Sequence, residues 1–419
     1  MTNASLTVRM YHVGFGDCFL VTITEDATVW RMLIDCGVHS LDRNARPIRD
    51  TVTHLIADLA AMSRDGVARL DVIAATHRHA DHISGFAVDA WEAVTVDEVW
   101  LPFTEDESDP DTASLQRRQE RCARQLRQLI QERSSATPGD DSPAGTALAL
   151  TLNSLGNADA MDRLHGRNNK RFANAARRRF LPNKAPANTV IPTGVADAVV
   201  HVLGPSRDAA ELKRMDPPRS VAWLQLDVDL DPSSNPFPVF ADDYVVSDPA
   251  QIPEELLRAR EATQFTFDQR LLGAASVLES ALNNTSLFLV VDVRGVRLIF
   301  PGDAQWGAWQ HVLANPENRQ LMQSAALYKI GHHGSHNATP RRFVDEIWQE
   351  SALAMLPYGR VDRWAATIPK RELLDALHAR HHTIIGVDTP EAYPPNTTVH
   401  EDRWSEVTFT ITGDTGKDR

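Results

Sequence analysis

The sequence predicts an α/β protein, and three observations carry that expectation. Short apolar strand patterns alternate with amphipathic helical ones over residues 1–105, and the same kind of pattern resumes after residue 286. The strands end in glycine, aspartate or histidine, the residue types that chemistry at a sheet edge uses. One strand, Leu70 to Ala75, is almost continuously apolar, as expected inside a sheet covered on both faces.

Residues 6–13 and 18–24 read as strands joined by Gly14-Phe15-Gly16-Asp17, a turn rich in residues that tolerate positive φ. Arg31 to Ile34 forms a third strand that runs into Asp35-Cys36-Gly37. His54, Leu55, Leu59 and Met62 recur at helical spacing, which predicts a helix over Thr51 to Met62. Leu70 to Ala75 leads directly to His77-Arg78-His79-Ala80-Asp81-His82, and Val96 to Leu101 is a further strand. These elements make up the first half of a domain, residues 1–105.

Residues 106–195 change in character. Positions 112–185 hold fourteen Arg and Lys against six Asp and Glu, a local balance of +8. A helix is expected over Leu115 to Glu132, with Leu115, Cys122, Leu126, Leu129 and Ile130 as a narrow apolar stripe. Ser134 to Gly145 reads as a polar linker, and Asn168 to Lys184 is basic and poor in large apolar residues. The segment therefore reads as a basic helical insertion or lid, partly mobile.

The second half of the domain is expected over 196–360, starting with the strand Ala198 to Leu203 and interrupted by an irregular insertion at 205–270. Ser286 to Val291 and Arg297 to Phe300 read as a hairpin turning at Arg294-Gly295. Pro301-Gly302-Asp303, a helix through Leu313, and the strand Leu327 to Ile330 follow. That strand ends in Gly331-His332-His333-Gly334-Ser335. Residues 361–419 read as a C-terminal extension packing on the domain, with strand signals at Thr383 to Val387 and Val407 to Ile411.

Composition narrows the function classes. The 419 residues are 42% hydrophobic, enough for a large core, and a formal net charge of −13 disfavours a passive polyanion binder. The three cysteines, Cys18, Cys36 and Cys122, form no C-x-x-C pair, which argues against a disulfide framework or a zinc knuckle. The N-terminus shows no basic-then-apolar leader pattern. The best apolar stretch, Leu287 to Phe300, is broken by Asp292, Arg294 and Arg297 and falls short of the ~18 residues of a membrane span. The expectation is a cytoplasmic protein with no membrane contact.

The run from His77 to His82 carries the chemistry. On an extended backbone, residues two apart project to one side, so His77 and His79 can hold one cation together. Asp81 and His82 lie on the following turn and can reach a second. Imidazole with carboxylate suits zinc, manganese or iron. Asp303 follows a strand and a glycine turn, a position from which a carboxylate can bridge two ions. Asp35 ends another strand, where it can orient a ligand histidine from behind. Trp306 and Trp309 read as packing residues, and His381-His382 as the cationic end of a helix at Arg371 to Ala379.

The H-x-H-x-D-H signature, with a downstream Gly-Asp and a terminal histidine motif, resembles the metallo-β-lactamase superfamily. Val13-Gly14-Phe15-Gly16-Asp17-Cys18, Asn283-Asn284-Thr285-Ser286-Leu287, Pro301-Gly302-Asp303 and His332-His333-Gly334-Ser335 resemble, within it, the nuclease-like domain of ComEC-type competence proteins. The resemblance spans roughly residues 6–105 and 196–360. It implies a four-layer αββα fold with helical and irregular insertions, and a centre of two divalent ions, zinc or else manganese. By the same resemblance His77 and His79 would hold the first ion, Asp81 and His82 the second, and Asp303 would bridge. His332 would be the last ligand of the second ion, with His333 behind it or facing substrate as a catalytic group beside Asp81. Asp17 and Asp35 would support the ligands, and Asn284 and Ser286 would line the pocket. The superfamily commonly supplies a third first-ion histidine after the strand that here is Ala198 to Leu203. That strand runs instead into Gly204-Pro205-Ser206, so the first site is expected to be only partly occupied.

The resemblance implies a metal-dependent hydrolase in which a hydroxide bridging the ions attacks a phosphodiester. DNA, RNA or a nucleotide is the expected substrate, held with help from Lys329, His333 or the basic insertion, which could equally dock a protein partner. The same metals acting on a lactone, thioester or β-lactam give an alternative. A catalytically idle metal-binding sensor or interaction subunit gives another.

Overall fold

Alternation along each strand sorts side chains onto two faces, and that sorting builds two sheets. A computed structural model of the chain describes residues 2–133, 137, 142–155, 157–184, 189–216, 254–357, 359–386, 393–400 and 402–412, without the side chains of 254–266 and of a few scattered positions. The first half contains β1 (Ala4–Tyr11), β2 (Phe19–Glu25), β3 (Thr28–Ile34), β4 (Arg69–Ala74) and β5 (Thr95–Pro102). The basic segment adds β6 (Arg177–Leu181) and β7 (Thr189–Pro192). Next come β8 (Ala198–Gly204), β9 (Phe288–Val293), β10 (Val296–Phe300), β11 (Leu327–Lys329) and β12 (Leu353–Leu356). The last strands are β13 (Thr383–Gly386), β14 (Thr397–His400) and β15 (Trp404–Ile411).

The helices are α1 (Ile48–Ala61), α2 (Ala80–Ile83), α3 (Pro110–Arg133), α4 (Pro143–Leu155) and α5 (Ala158–His165). They continue with α6 (Ala209–Leu212), α7 (Glu254–Asn283), α8 (Trp306–Ala314), α9 (Pro316–Gln323) and α10 (Arg371–Ala379). The chain is thus an α/β protein with two mixed sheets. One sheet runs β14-β15-β1-β2-β3-β4-β5-β6, antiparallel as far as β3 and parallel from β3 to β6. The other runs β13-β12-β11-β10-β9-β8-β7, antiparallel from β7 to β10 and parallel from β10 to β13.

The inner faces pack on each other. Leu6, Val8 and Met10 of β1 share one core with Val200 and Val202 of β8 and Leu289 and Val291 of β9. On the outer face of the first sheet, Leu20, Leu33, Leu70 and Ile73 pack with Val52, Leu55 and Leu59 of α1 and Leu164 of α5. On the outer face of the second, Val290, Ile299 and Tyr328 pack with Trp309 and Val312 of α8 and Leu377 of α10. Each fully buried aliphatic side chain contributes roughly 1.5–3 kcal/mol to this sandwich. Among the described residues, no helix is long and apolar enough to cross a membrane.

The expected hairpin at Arg294-Gly295 forms, with φ of 52° and 86° at those residues. His201 projects to the face away from the inter-sheet core and is half-buried. The segment Asn168 to Lys184, read as part of a mobile lid, contains β6, which pairs in parallel with β5. Charge supplies what its apolar content lacks, since Glu98 of β5 receives both Arg177 and Arg179. Arg163 is buried and donates to the carbonyls of Phe86 and Arg171 and to Asp89. Arg163, Arg177 and Arg179 are therefore engaged by acidic groups and carbonyls of the chain itself.

Two further segments depart from a simple linker or loop. Ser134 to Gly145 overlaps the start of α4, and most of its remaining residues lie outside the described residues. The insertion expected at 205–270 contains α6 and the first part of α7, while 217–253 lie outside the described residues. α4 packs on α7 through Ala147, Leu148 and Leu150 against Leu271 and Ala275. Residues 361–419, read as an extension, supply strands to both sheets. β15 pairs with β1 along its whole length, from Ala4 opposite Ile411 to Tyr11 opposite Trp404.

Candidate metal centre

Four strands, β3, β4, β10 and β11, bring their C-terminal ends to one place. Beyond β4, His79 is the extended residue before α2, and this one-turn helix turns Asp81 and His82 inward. Asp35, just past β3, has φ of 57°, a conformation that aspartate tolerates better than most residues. Its Oδ1 accepts from the Thr76 backbone N–H and its Oδ2 from the Thr76 hydroxyl, each at 2.7 Å. Gly302 past β10 has φ of 57°, and a Cβ there would stand 2.9 Å from the Cβ atoms of both Ser286 and Thr76. Glycine at this position lets Asp303 approach from the second sheet.

Asp81, His82, Asp303 and His333 offer ligand atoms that all lie within 4.8 Å of one another. His82 Nε2 is 3.1 Å from Asp303 Oδ2 and 3.9 Å from Asp81 Oδ2, and His333 Nε2 is 3.5 Å from Asp81 Oδ2. Beside them, His77 Nε2 lies 3.0 Å from His79 Nδ1. None of these six residues exceeds 4% exposure.

The outer atoms of the same side chains are all engaged, and their partners determine the tautomers. His333 Nδ1 is 2.8 Å from the Pro357 carbonyl, which can only accept, so Nδ1 carries the proton. His82 Nδ1 meets Asp35 Oδ2 at 2.7 Å. His77 Nδ1 lies 3.2 Å from the hydroxyls of both Thr76 and Ser286. Those hydroxyls direct their own protons to Asp35 and to the Asn283 carbonyl, so each accepts from His77. Asp303 Oδ1 accepts from the His332 backbone N–H at 3.0 Å and from Lys329 Nζ at 3.2 Å. Asp81 Oδ1 accepts from Asn153 Nδ2 at 3.2 Å.

The inner atoms are a different matter. Among the described residues, His82 Nε2, Asp303 Oδ2 and His333 Nε2 are buried without a hydrogen-bond partner. Such orphaned polar atoms cost about 1–3 kcal/mol each. Their convergence on one point fits a cation, and carboxylates with imidazoles are the donor set of zinc or manganese. These buried His and Asp groups could bind a metal ion. Asp17, Asp35 and His82 also form a close group, but it is the back of the same histidine, where Lys329 already supplies a cation to Asp17 Oδ2 and Asp35 takes up His82 Nδ1.

Burial and neighbouring charges shape the protonation of the cluster. Burial opposes a charge on His82, but Asp303, Asp35, Asp17 and Asp81 around it outweigh that and raise its pKa well above the usual histidine value. Burial also opposes ionisation of Asp81 and Asp303, yet His82 together with His333 or Lys329 holds both well below the usual carboxylate range. His79 goes the other way, down to about 4, chiefly by burial. Glu279 on α7 is pushed up to about 8 by burial and then by Asp81 and Asp303.

The structure places most of the expected site residues together. His77, His79, Asp81, His82 and Asp303 converge, with Asp17, Asp35 and Ser286 behind them. The order of the two adjacent histidines is reversed. It is His333 whose ring enters the cluster, whereas His332 turns its ring to Asn283 Nδ2 (3.3 Å) and Ser335 Oγ (2.7 Å). Both have left-handed backbones, φ 47° and 52°, so the chain coils back and presents the second ring where an extended strand end would present the first. Asn284 does not line the cluster. Its amide donates to the carbonyls of Glu211, Leu212 and Arg214, and its oxygen accepts from the backbones of Gln305 and Ala308. Lys329 is buried between Asp17 (2.5 Å) and Asp303 (3.2 Å), so it serves as their counter-ion and is not presented to a phosphate.

Four residues of the site were not anticipated: Thr76, Asn153, Ser154 and Glu279. The adjacent pair Asn153-Ser154 follows Ala147 to Leu152, a run apolar except for Thr151, and that change to polar residues is the available signal. Comparison with models of known protein families finds no match, and comparison with curated proteins finds none.

Proposed function

We propose that this chain is a metal-dependent hydrolase of the metallo-β-lactamase superfamily acting on phosphodiesters, a nuclease or nucleotide phosphodiesterase. The observation that carries the reading is the set of inner atoms described above: buried, unpartnered, and converging from two sheets onto one point. Two β-sheets face to face with helices outside them, and the His77 to His82 run past β4, support the superfamily assignment. Asp81, His82, Asp303 and His333 would hold one divalent ion, and His77 and His79, with Asp303 between, a second. Zinc is the first choice and manganese the next.

Divalent ions held there would supply Lewis acidity, lowering the pKa of water and neutralising phosphoryl charge. The chain's own part is to orient and to insulate. Asp35, Thr76, Ser286 and Pro357 hold the outer nitrogens of His82, His77 and His333, so the inner ones face the centre. Lys329 compensates the charge of Asp17 and Asp303 from behind. Substrate phosphate would rely on residues other than Lys329, and exposed Arg117, Arg121 and Arg127 of α3 are candidates for a longer nucleic acid.

The test is a metal-supplemented panel of bis-p-nitrophenyl phosphate, single- and double-stranded DNA, RNA, cyclic dinucleotides, a lactone and nitrocefin, with Asp81→Ala as blank. Hydrolysis of a phosphodiester arm alone is expected, with DNA or RNA binding that weakens steeply as salt rises. Cleavage of the lactone or nitrocefin alone moves the assignment to carbonyl substrates. A second reading, a metal-binding sensor without turnover, is favoured by one observation. His77, His79, His82, Asp303 and His333 are each at most 1% exposed, and α4 lies across the metal loop. Tight zinc uptake with no turnover in any arm would establish it.

A further inference from the structure

We infer that α4, which belongs to the inserted segment, is a working part of the metal centre: Ser154 and Asn153 are positioning residues for His79 and Asp81. This rests on the metal reading above and adds to it a part of the chain outside the sandwich.

The grip is continuous along the metal loop. Asn157, just past α4, donates from Nδ2 to the Arg78 carbonyl at 2.7 Å. Ser154 Oγ lies 3.2 Å from His79 Nε2. Asn153 Oδ1 accepts from the Ala80 backbone N–H at 3.1 Å, while its Nδ2 donates to Asp81 Oδ1 at 3.2 Å. Four consecutive residues, 78 to 81, are thus each held by a side chain from 153–157.

The directions of these bonds suit metal binding. The Ala80 N–H can only donate, so the Asn153 oxygen must face it and the amino group must face Asp81. Asp81 Oδ1 is thereby occupied, which leaves Oδ2 toward His82 and His333. Ser154 Oγ also lies 3.3 Å from the Leu150 carbonyl, one turn back, which can only accept its proton. The Ser154 oxygen then accepts from His79 Nε2–H. That selects the tautomer whose lone pair is on Nδ1, the atom 3.0 Å from His77 Nε2.

A purely structural helix would not require these groups. Asn153 and Ser154 are 2% and 7% exposed, and burying polar groups costs free energy unless their bonds are made. The apolar packing of α4 runs through Ala147, Leu148 and Leu150 on α7 and does not use either side chain.

The experiment is a titration of the full metal-free chain with zinc, read against a chelating dye, and with cobalt(II), read by its visible spectrum. The variants are Ser154→Ala, Ser154→Thr, Asn153→Ala and the wild type, with the unfolding midpoint of each metal-free form measured in parallel. The wild type is expected to take up two ions. Ser154→Ala should weaken the His77–His79 site about 10–100-fold and alter its cobalt spectrum, while Ser154→Thr retains both. Asn153→Ala should weaken the Asp81 site by a similar factor. The metal-free forms should melt within a few degrees of one another. Wild-type affinity and spectrum in both alanine variants overturn the inference while leaving the metal reading intact. A wild-type chain that takes up no ion overturns the metal reading, and this inference with it.

Discussion

The two ends of the buried cluster are furnished differently. Asp81, His82, Asp303 and His333 come from both sheets, and their outer atoms are held mostly by the sandwich itself, by Asp35, Lys329 and the Pro357 carbonyl. His77 and His79 are two nitrogens 3.0 Å apart, and His79 is braced by a hydroxyl from the insertion. One end is a set built into strand ends. The other is a pair whose geometry depends on a helix that the sandwich does not contain. The difference teaches that occupancy at the two ends can be separated experimentally.

The largest effect should come from Asp303, the carboxylate proposed to serve both ends. Under the proposed function, Asp303→Ala is expected to remove both ions and reduce phosphodiester hydrolysis to the rate without protein, measured by metal content and turnover together. Retention of two ions would show that the ends do not share it. Next in size, Lys329→Met removes the buried cation between Asp17 and Asp303, leaving them only His82, and should cost about 3–5 kcal/mol of unfolding free energy in urea. A loss below about 1 kcal/mol would remove Lys329 from the role of counter-ion.

The paired histidines give a sharper cut. His333→Ala should lose one ion of two, whereas His332→Ala should keep both, as counted by mass spectrometry of the native protein. The reverse result would restore the extended-strand order.

The smallest effect is a difference in pH dependence. Neighbouring carboxylates raise the pKa of His82, so at neutral pH a proton competes with an ion there, and uptake at that end should tighten as pH rises. His79, held down to about 4, has already shed its proton, so uptake at the pair should change little over the same range. Calorimetry in buffers of different ionisation heat reads the protons released. Equal release at both ends would break the distinction.

Much of this arrangement was legible in the sequence, and the rest was not for physical reasons. β1, β2, β4, β5, β9 and β10 could be read because period-two alternation or a continuous apolar run is a local property. His77, His79, Asp81, His82, Asp303 and Asp35 could be read because each sits just past such a strand. The choice between His332 and His333 could not, since two left-handed residues in succession reverse which ring points inward. Asn153 and Ser154 act across 72 and 75 residues of chain, where no local pattern reports the contact. β6 was hidden because its pairing relies on Glu98, and charges at a sheet edge look like an ordinary solvated loop. Asn284 misled in the opposite direction: a polar residue at a strand start was read as a lining group, and it is a clasp between backbones.

The pairing of β1 with β15 bears on how the chain is made. β1 has β2 on one side from the outset, but its other edge stays open until Trp404 to Ile411 have been synthesised. Until then Leu6, Val8 and Met10 sit on a strand that still has an unpaired edge, the kind of template on which nascent chains associate. Closing it joins residues some four hundred positions apart, a contact of high sequence separation and slow to form. A chain truncated before Trp404 should therefore carry the whole run from His77 to His82 yet be recovered as aggregate, with the fault in edge protection and not in that cluster.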